Sequence, residues 1–577
     1  MRPDTDARRR EMTAQGLWND LTVDHSFRAL VERLQHREAV VDAPNRGEFL
    51  GGPARRLSFH DLDEEVNRAC VVLHEQGLRA GDVVCVQLPN CVEQFILYLA
   101  CARLGLVVSP VPVQYREHEL EYILDTASSR AVVTFCPPGG YDHAGMFLRL
   151  KAAQPNLGPL FILDGEGEGL VSLSRAMGGV DAPARAFTDL LLDHVPAADD
   201  VFTICWTSGT ESRPKGVPRT HNEWFSQGRV AVGLSRVVET ERILNPFPLI
   251  NMAGFATCFF TWLLTGCTVV QHQPFKLPVF VAQLREERID HTVAPPAVLN
   301  AMLQNPVLVE GIDFGRLKRI GSGAAPLSPW MVGEFERRWG VNILNNYGSN
   351  EGGVLAGSEV DVPDTELRAT CFPRTGIAGL RWQGAGLDWV QTRLVDTETE
   401  QEIDQPGVPG ELRFAGPTVF GGYIGDPSLN DKAFDAHGFY RSGDVFEIAG
   451  DRRQYYRYLG RLKDIIIRGG MNISAEEIDA LLLSHPKVVD AAAVGYPDAS
   501  LGERVCAFVV LKPGDTMGLD ELSRYLTEEK RVAIFKLPER LEVVTELPRN
   551  PVGKLLKRDL RQSLRTALGL ADVEVSS

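Results

Sequence analysis

Hydrophobic and polar positions follow two rhythms along this chain. From Ser58 the string SFHDLDEEVNRACVVLHEQGL sets Leu62, Val66, Ala69, Val72 and Leu73 on one helical face. Ser58 reads as the N-cap, Asp61 follows three residues on, and Gly77 marks the stop. Short apolar runs at Val83 to Leu88 and Val107 to Val113 predict buried strands, and Asn90 predicts the cap of an intervening helix through Leu104, giving one βαβ unit. A helix from His118 to Ala127 and a strand from Ala131 to Phe135 continue the alternation, which predicts a parallel sheet covered by helices. Pro155 to Asp200, rich in Gly, Ala and Asp, reads as a connector. Helix, strand and helix resume over Phe280 to Leu303, and strands are predicted at Leu317 to Ser322 and Val341 to Asn345.

One apolar run ends differently from the rest. Val201 to Gly216 reads VFTICWTSGTESRPKG, a strand that breaks into hydroxyls, glycine and a lysine. Ser208 and Gly209 are small enough to let backbone amides approach an anion. Thr207, Ser208 and Thr210 add hydroxyl donors, and Lys215 adds a positive charge, so the loop suits a polyphosphate. It is not a Walker A loop, because G-x-x-x-x-G-K-[S/T] does not occur, and Gly321-Ser322-Gly323 fails the dinucleotide pattern with Pro326 in the third glycine position.

Near Arg461 the character changes again. GRLKDIIIRGG carries charges around an apolar triplet and ends in paired glycines, as a hinge does. Beyond it a helix is predicted at Ala475 to Leu483, strands at Val488 to Tyr496 and Arg504 to Leu511, a helix at Leu519 to Glu529 and a strand at Leu541 to Thr545. The predicted fold class is α/β: a large N-terminal domain of helix-covered sheets, residues 1–460 with several subdomains, joined by a hinge to a smaller, mobile α+β domain, residues 461–577.

Composition narrows the function. At 577 residues the chain is too long for one core, and 44% apolar content is ample for burial. A net charge of −16 argues against general nucleic-acid binding and leaves anionic ligands to local donors. The ten cysteines contain no C-x-x-C and lie mostly in apolar segments, as buried small hydrophobes in a reducing compartment do. The charged start, MRPDTDARRREMTAQGLW, has no apolar core of a secretory signal, and a cytoplasmic location is expected. Ile243 to Phe275 carries no Asp, Glu, Lys or Arg, yet Pro246, Pro248, Asn251, Gly254 and Gly266 interrupt it. It reads as a core helix after a binding loop, with no integral membrane span.

The loop at Thr207 resembles TSGTTGxPKG, the signature of the adenylate-forming superfamily of acyl-CoA synthetases, aryl-AMP ligases, peptide-synthetase adenylation domains and luciferases. Glu211 and Ser212 depart from it. The resemblance runs from about residue 30 to about residue 560, with the motifs in the family's order. Asn346-Tyr347-Gly348-Ser349-Asn350-Glu351 resembles YGxTE, which implies that Tyr347 lies on adenine and Glu351 helps hold Mg²⁺; Asn350 stands where a threonine is usual. Asn346, Gly348, Asn350 and Ala324 join the implied nucleotide site. Gly410 through Tyr423 resembles GELxxxGxxxxxGY and reads as scaffold. Tyr440-Arg441-Ser442-Gly443-Asp444 matches the motif whose aspartate takes both ribose hydroxyls. Gly460 to Asp464 resembles the GRxxD hinge, with Arg461 toward ribose or phosphate and Lys463 as pivot. Leu547 to Lys554 corresponds to PxxxxGK, and Lys554 inherits the role of catalytic lysine alongside Glu351 and Lys215.

Pro248 to Gly254 is similar to PLFHxxG, with Asn251 in place of the aromatic or histidine that commonly lines the acid pocket and gates the thiol channel. Gly254, Gly323, Gly469 and Gly470 are the other expected walls of the substrate and coenzyme A channel. The resemblance therefore implies a ligase that uses ATP and Mg²⁺ to turn a carboxylic acid into an acyl-adenylate with release of pyrophosphate, then passes the acyl group to the thiol of coenzyme A. An aryl-AMP ligase loading a carrier protein or an amine, a luciferase-type oxygenase, a non-catalytic nucleotide-binding homologue and a homodimeric assembly stay open at this point.

Overall fold

The structure, a computed structural model, describes residues 5–154, 156–180, 195–207, 214–323, 327–384, 386–468, 471–498, 501–530, 532, 534–550 and 555–569. The chain divides into two compact units. The first holds the chain as far as Thr392 together with Phe414–Tyr440, and the second holds Arg393–Arg413 and the chain from Arg441 onward.

Two sheets organise the first unit. A seven-stranded sheet takes the order Leu170–Ser172, Leu160–Ile162, Ala131–Thr134, Val83–Val86, Val107–Pro110, Val201–Trp206 and Gly216–Thr220, parallel except for its last pair. An eight-stranded sheet runs Val354–Gly357, Asn342–Gly348, Arg319–Gly323, His291–Val293, Arg242–Asn245, Thr268–Gln271, Glu38–Val41 and Arg56–Ser58, with antiparallel pairs only at its two edges. Parallel strands need helical crossovers, and these cover the faces as the alternating pattern predicts. The helix Phe59–Glu75 begins at Ser58 in a reciprocal capping box with Asp61, and all five residues of its predicted apolar face are buried. In the helix Val92–Leu104 only Glu93 is not buried, so this helix is core on every side. The ring of Trp262 stacks on that of Phe59 at 5.7 Å and meets Phe95 edge-on at 5.2 Å, joining helices from distant parts of the chain in one core.

Three expectations need correction. Asn90 is not the cap of the Val92–Leu104 helix; Cys91 holds that position, and the Asn90 amide instead donates to the Phe247 carbonyl at 2.9 Å and accepts from Leu249 N at 3.1 Å. The stretch read as a connector contributes two strands, Leu160–Ile162 and Leu170–Ser172, to the edge of the first sheet. Nine cysteines are buried as expected, but Cys136 is exposed. The uncharged stretch after residue 243 forms a strand, a helical run across 252–265 whose middle, Phe255–Phe260, is a π-helix, and a second strand. No helix among the described residues is long and apolar enough to cross a membrane.

In the second unit residues 455–461, 441–449, 410–413 and 393–395 lie side by side in one sheet. Beyond them a second sheet sets Met471–Ile473, Ile466–Arg468, Gly502–Leu511 and Val488–Asp498 in order, with Arg540–Val543 added parallel to Gly502–Leu511. The helices Ala475–Leu483 and Lys557–Ala567 both pack on this sheet, against its strand Val488–Asp498.

Candidate active site

The strand Val201–Trp206 delivers Thr207 to the edge of the first unit, where the two ends of the phosphate-type loop are joined. Thr207 N donates to the Lys215 carbonyl at 3.0 Å, and Lys215 N donates back to Thr207 Oγ1 at 3.2 Å. Ser208, Gly209 and Thr210 lie outside the described residues, as do Ala324, Gly469, Gly470 and Lys554. From the base of the loop Lys215 points its ammonium over the ring of Tyr423, 5.1 Å from the centroid. Tyr423 is held there because Ile424 N donates to the Gly216 carbonyl at 3.0 Å and Tyr423 N donates to Asn430 Oδ1 at 2.7 Å.

The Tyr423 hydroxyl donates to Glu351 Oε1 at 2.8 Å. Thus Lys215 and Glu351, 136 positions apart, both contact Tyr423, one over its ring and the other at its hydroxyl, although its segment reads as scaffold in the sequence. Burial pushes the Tyr423 phenol up, with the Glu351 carboxylate beside it adding to the shift, and burial does the same at Tyr440. Tyr423 therefore stays protonated at neutral pH and remains a donor. Glu351 is 7% exposed. Its backbone is fixed on both sides: Phe420 N donates to the Glu351 carbonyl at 2.8 Å, and Thr418 Oγ1 donates to the Gly352 carbonyl at 3.0 Å. Gly352 must be glycine, since its φ is +96° and a Cβ would stand 1.8 Å from the Thr418 oxygen.

Beneath this turn lies Arg219, with no exposed surface, donating to the carbonyls of Asn350 at 2.7 Å and Thr418 at 2.8 Å. From the N-terminal helix Thr5–Ala14, Arg8 reaches the same 416–419 segment, donating to the Gly416 and Val419 carbonyls and to Glu223, and Trp18 Nε1 donates to the Pro417 carbonyl at 3.2 Å. Neither arginine was singled out from sequence. A cation that serves backbone carbonyls far away in the chain leaves no local pattern. For Tyr423 the available signal was the pair Gly421-Gly422 directly before an aromatic, with Gly422 at a φ of +124°.

Tyr347 lies on the strand Asn342–Gly348, half-buried, its ring nearly parallel to that of Phe414 at 5.9 Å. Asn346 pairs with Gly323 on the neighbouring strand, and a Cβ at Gly323 would meet the Asn346 oxygen at 2.1 Å. A Cβ at Gly321 would stand 2.8 Å from Asn346 Nδ2, so the glycines here let two strands approach. Gly348 has room for a Cβ, with Met252 3.7 Å away. Asn251 caps the short helix Met252–Gly254, and Gly254 has the Pro248 carbonyl 2.3 Å from where its Cβ would stand. Both ends of the Asn350 amide are engaged: Oδ1 accepts from Met252 N at 2.9 Å, and Nδ2 donates to the Trp206 carbonyl at 3.2 Å.

In the second unit Asp444 and Arg461 are register partners on adjacent strands, with Arg461 Nε 3.4 Å from Asp444 Oδ1. The turn before Asp444 is pinned by Gly443 N donating to Glu411 Oε1 at 3.0 Å and by Asp444 N donating to Ser442 Oγ at 3.1 Å. Asp444 is 4% exposed. Lys463 sits in the 3₁₀ turn Leu462–Asp464, where its carbonyl accepts from Arg561 at 3.2 Å.

Residues 27–424 match the AMP-binding enzyme family and residues 477–554 match the AMP-binding enzyme C-terminal domain. The medium-chain fatty-acid–CoA ligase of Escherichia coli K12 is 30% identical over 97% of this chain and 94% of its own length. The 2-hydroxy-7-methoxy-5-methyl-1-naphthoate–CoA ligase of Streptomyces carzinostaticus is 30% identical over 95% of this chain and 94% of its own. Among solved structures, ATP-bound MatB from Rhodopseudomonas palustris is 27% identical and superposes with a TM-score of 0.77 over 95% of this chain and 100% of that one. With these matches spanning most of the chain, the protein belongs to the AMP-binding enzyme family, the adenylate-forming superfamily of ligases.

Proposed function

We propose that this enzyme activates a carboxylic acid in two steps. A carboxylate oxygen attacks the α-phosphorus of ATP, the bond to the bridging oxygen breaks, and pyrophosphate leaves. The sulfur of coenzyme A then attacks the acyl carbon, the thioester forms and AMP departs. The observation that carries this reading is the Lys215–Tyr423–Glu351 arrangement at the foot of the loop after Trp206: a cation over one ring whose hydroxyl holds an anion.

Glu351 fits the magnesium role chemically. A carboxylate is a hard oxygen donor, and among the described residues no cluster of three or more His, Cys, Asp or Glu could cage a metal by itself. A single protein oxygen, with phosphate oxygens and water completing the shell, suits Mg²⁺. When bound, that ion spreads the charge of the triphosphate. Thr207, Ser208, Gly209 and Thr210 would hold phosphate oxygens through hydroxyl and amide donors, with Lys215 adding charge. Tyr347, with Asn346, Gly348 and Ala324, would receive adenine, and Asp444 with Arg461 would offer ribose a two-oxygen acceptor beside a cation. Lys554 would place an ammonium between the attacking carboxylate and the α-phosphate, where it screens their repulsion. Gly254, Gly323 and Asn251 would border the acid, Gly469 and Gly470 the thin pantetheine chain, and Lys463 would be the pivot between the two half-reactions.

The relatives named above take acids as different as a medium-chain fatty acid and a substituted naphthoate, so the test is a panel of short, branched, medium-chain and aromatic acids. Pyrophosphate release is measured with and without coenzyme A, and thioester is identified in the complete mixture. Acid-dependent pyrophosphate release followed by thioester formation supports the reading. No pyrophosphate with any acid would overturn it, and an acyl-adenylate that coenzyme A fails to consume would overturn its second half.

A further inference from the structure

Two of the residues that depart from the family pattern, Asn251 and Asn350, converge on one spot. The helical run 252–265 begins inside the stretch read above as the acid pocket, and the first amides of any helix lack partners within it. Here Met252 N donates to Asn350 Oδ1 at 2.9 Å, Ala253 N to Asn251 Oδ1 at 3.1 Å and Gly254 N to the same oxygen at 3.4 Å. Three successive amides are thus satisfied by two side-chain carbonyls. Behind them, Asn90 holds Phe247 and Leu249, and the Tyr98 hydroxyl donates to the Leu249 carbonyl at 2.7 Å. Asn350 also reaches the strand that enters the phosphate-type loop, since its Nδ2 donates to the carbonyl of Trp206, the last residue of that strand.

The two substitutions make chemical sense as a pair. An aromatic side chain at 251 has no oxygen to cap its own helix, so the start of the run would need another acceptor. A threonine at 350 ends one bond nearer the backbone and offers a single hydroxyl, where asparagine presents a separate acceptor and donor. We propose that Asn251 and Asn350 act together as positioning residues that fix the first turn of the acid pocket, and that Asn350 joins this turn to the nucleotide loop. This rests on the reading of Pro248 to Gly254 as acid pocket given above.

The test compares Asn350→Thr, Asn251→Ala and their double variant, with Asn251→Ser as a substitution that keeps a cap. Each asparagine loss is expected to raise KM for the acid about fivefold to tenfold, the size that one lost cap bond supports, while KM for ATP moves less than about twofold. Asn251→Ser should recover most of the loss. The double variant should fall short of the product of the singles, because both side chains hold one turn. A rise in KM for ATP with that for the acid unchanged in Asn350→Thr would overturn the proposal and make Asn350 a phosphate ligand, and independent, multiplicative effects would overturn the pairing. Amide exchange at 252–254 reads the clamp without turnover. It should quicken in both single variants, and unchanged exchange would overturn the proposal whatever the acid panel gives.

Discussion

Replacing Tyr423 by Phe removes one oxygen and little else. The ring would remain, keeping its edge-on contact with Phe420 at 4.8 Å and its place under the Lys215 ammonium. What disappears is the 2.8 Å hydrogen bond to a carboxylate that is 7% exposed, together with the hydroxyl's contact to Tyr440. Hydrogen bonds to charged groups contribute about 1.5–3 kcal/mol, and each 1.36 kcal/mol is a factor of about ten in rate. The lower end applies, because water can replace the hydroxyl once the ring no longer carries it. Tyr423→Phe is therefore expected to lower kcat/KM for MgATP about tenfold at saturating acid, and to raise the magnesium concentration needed for half-maximal rate. Initial rates of pyrophosphate release against MgATP measure the first, and a magnesium titration at fixed ATP the second. A variant that melts with the wild type and retains kcat/KM within about twofold would refute the idea that Tyr423 holds Glu351 in its working position.

Two further outcomes follow. Lys554→Ala is expected to abolish acid-dependent pyrophosphate release while leaving the melting profile unchanged; release at the wild-type rate would remove the lysine from the chemistry. Burial raises the Glu476 carboxyl from 4.5 to about 7, reinforced by Asp479 and Asp464 and opposed by Lys557. The protonated form is the one the fold prefers, so this group's contribution is full below its unfolded value and is lost as pH rises through about 7, by at most about 3 kcal/mol. Glu476→Gln should flatten the pH dependence of thermal melting between pH 5 and 8, and an unchanged slope would count against it.

Elements whose signals are local were legible in the sequence. The capping box at Ser58 and Asp61, the apolar face from Leu62 to Leu73 and the strand ending at Trp206 all depend on neighbours within a few residues. Features built by contacts across the chain were not. Asn90 looks like a helix cap until Phe247 and Leu249, more than 150 positions away, claim its amide. Leu160–Ile162 and Leu170–Ser172 are three residues each, too short for periodicity to rise above a Gly-rich background. The motif residues around Glu351 were recognisable by order, but Tyr423 and Arg219 act on groups 72 and 131 positions distant, and a lone tyrosine or arginine carries no such address. Asn350 was visible only as an exception, and its two hydrogen bonds give that exception a task.

The N-terminal helix bears on how the enzyme is handled at the bench. The AMP-binding enzyme family match begins at residue 27, which invites an expression boundary there. A protein trimmed to that point would lack Arg8 and Trp18, and three carbonyls between Gly416 and Val419 would face solvent or one another just ahead of Phe420, whose amide steadies Glu351. Poor turnover by such a shortened protein would report a missing brace, and would say nothing against the acid chosen as substrate.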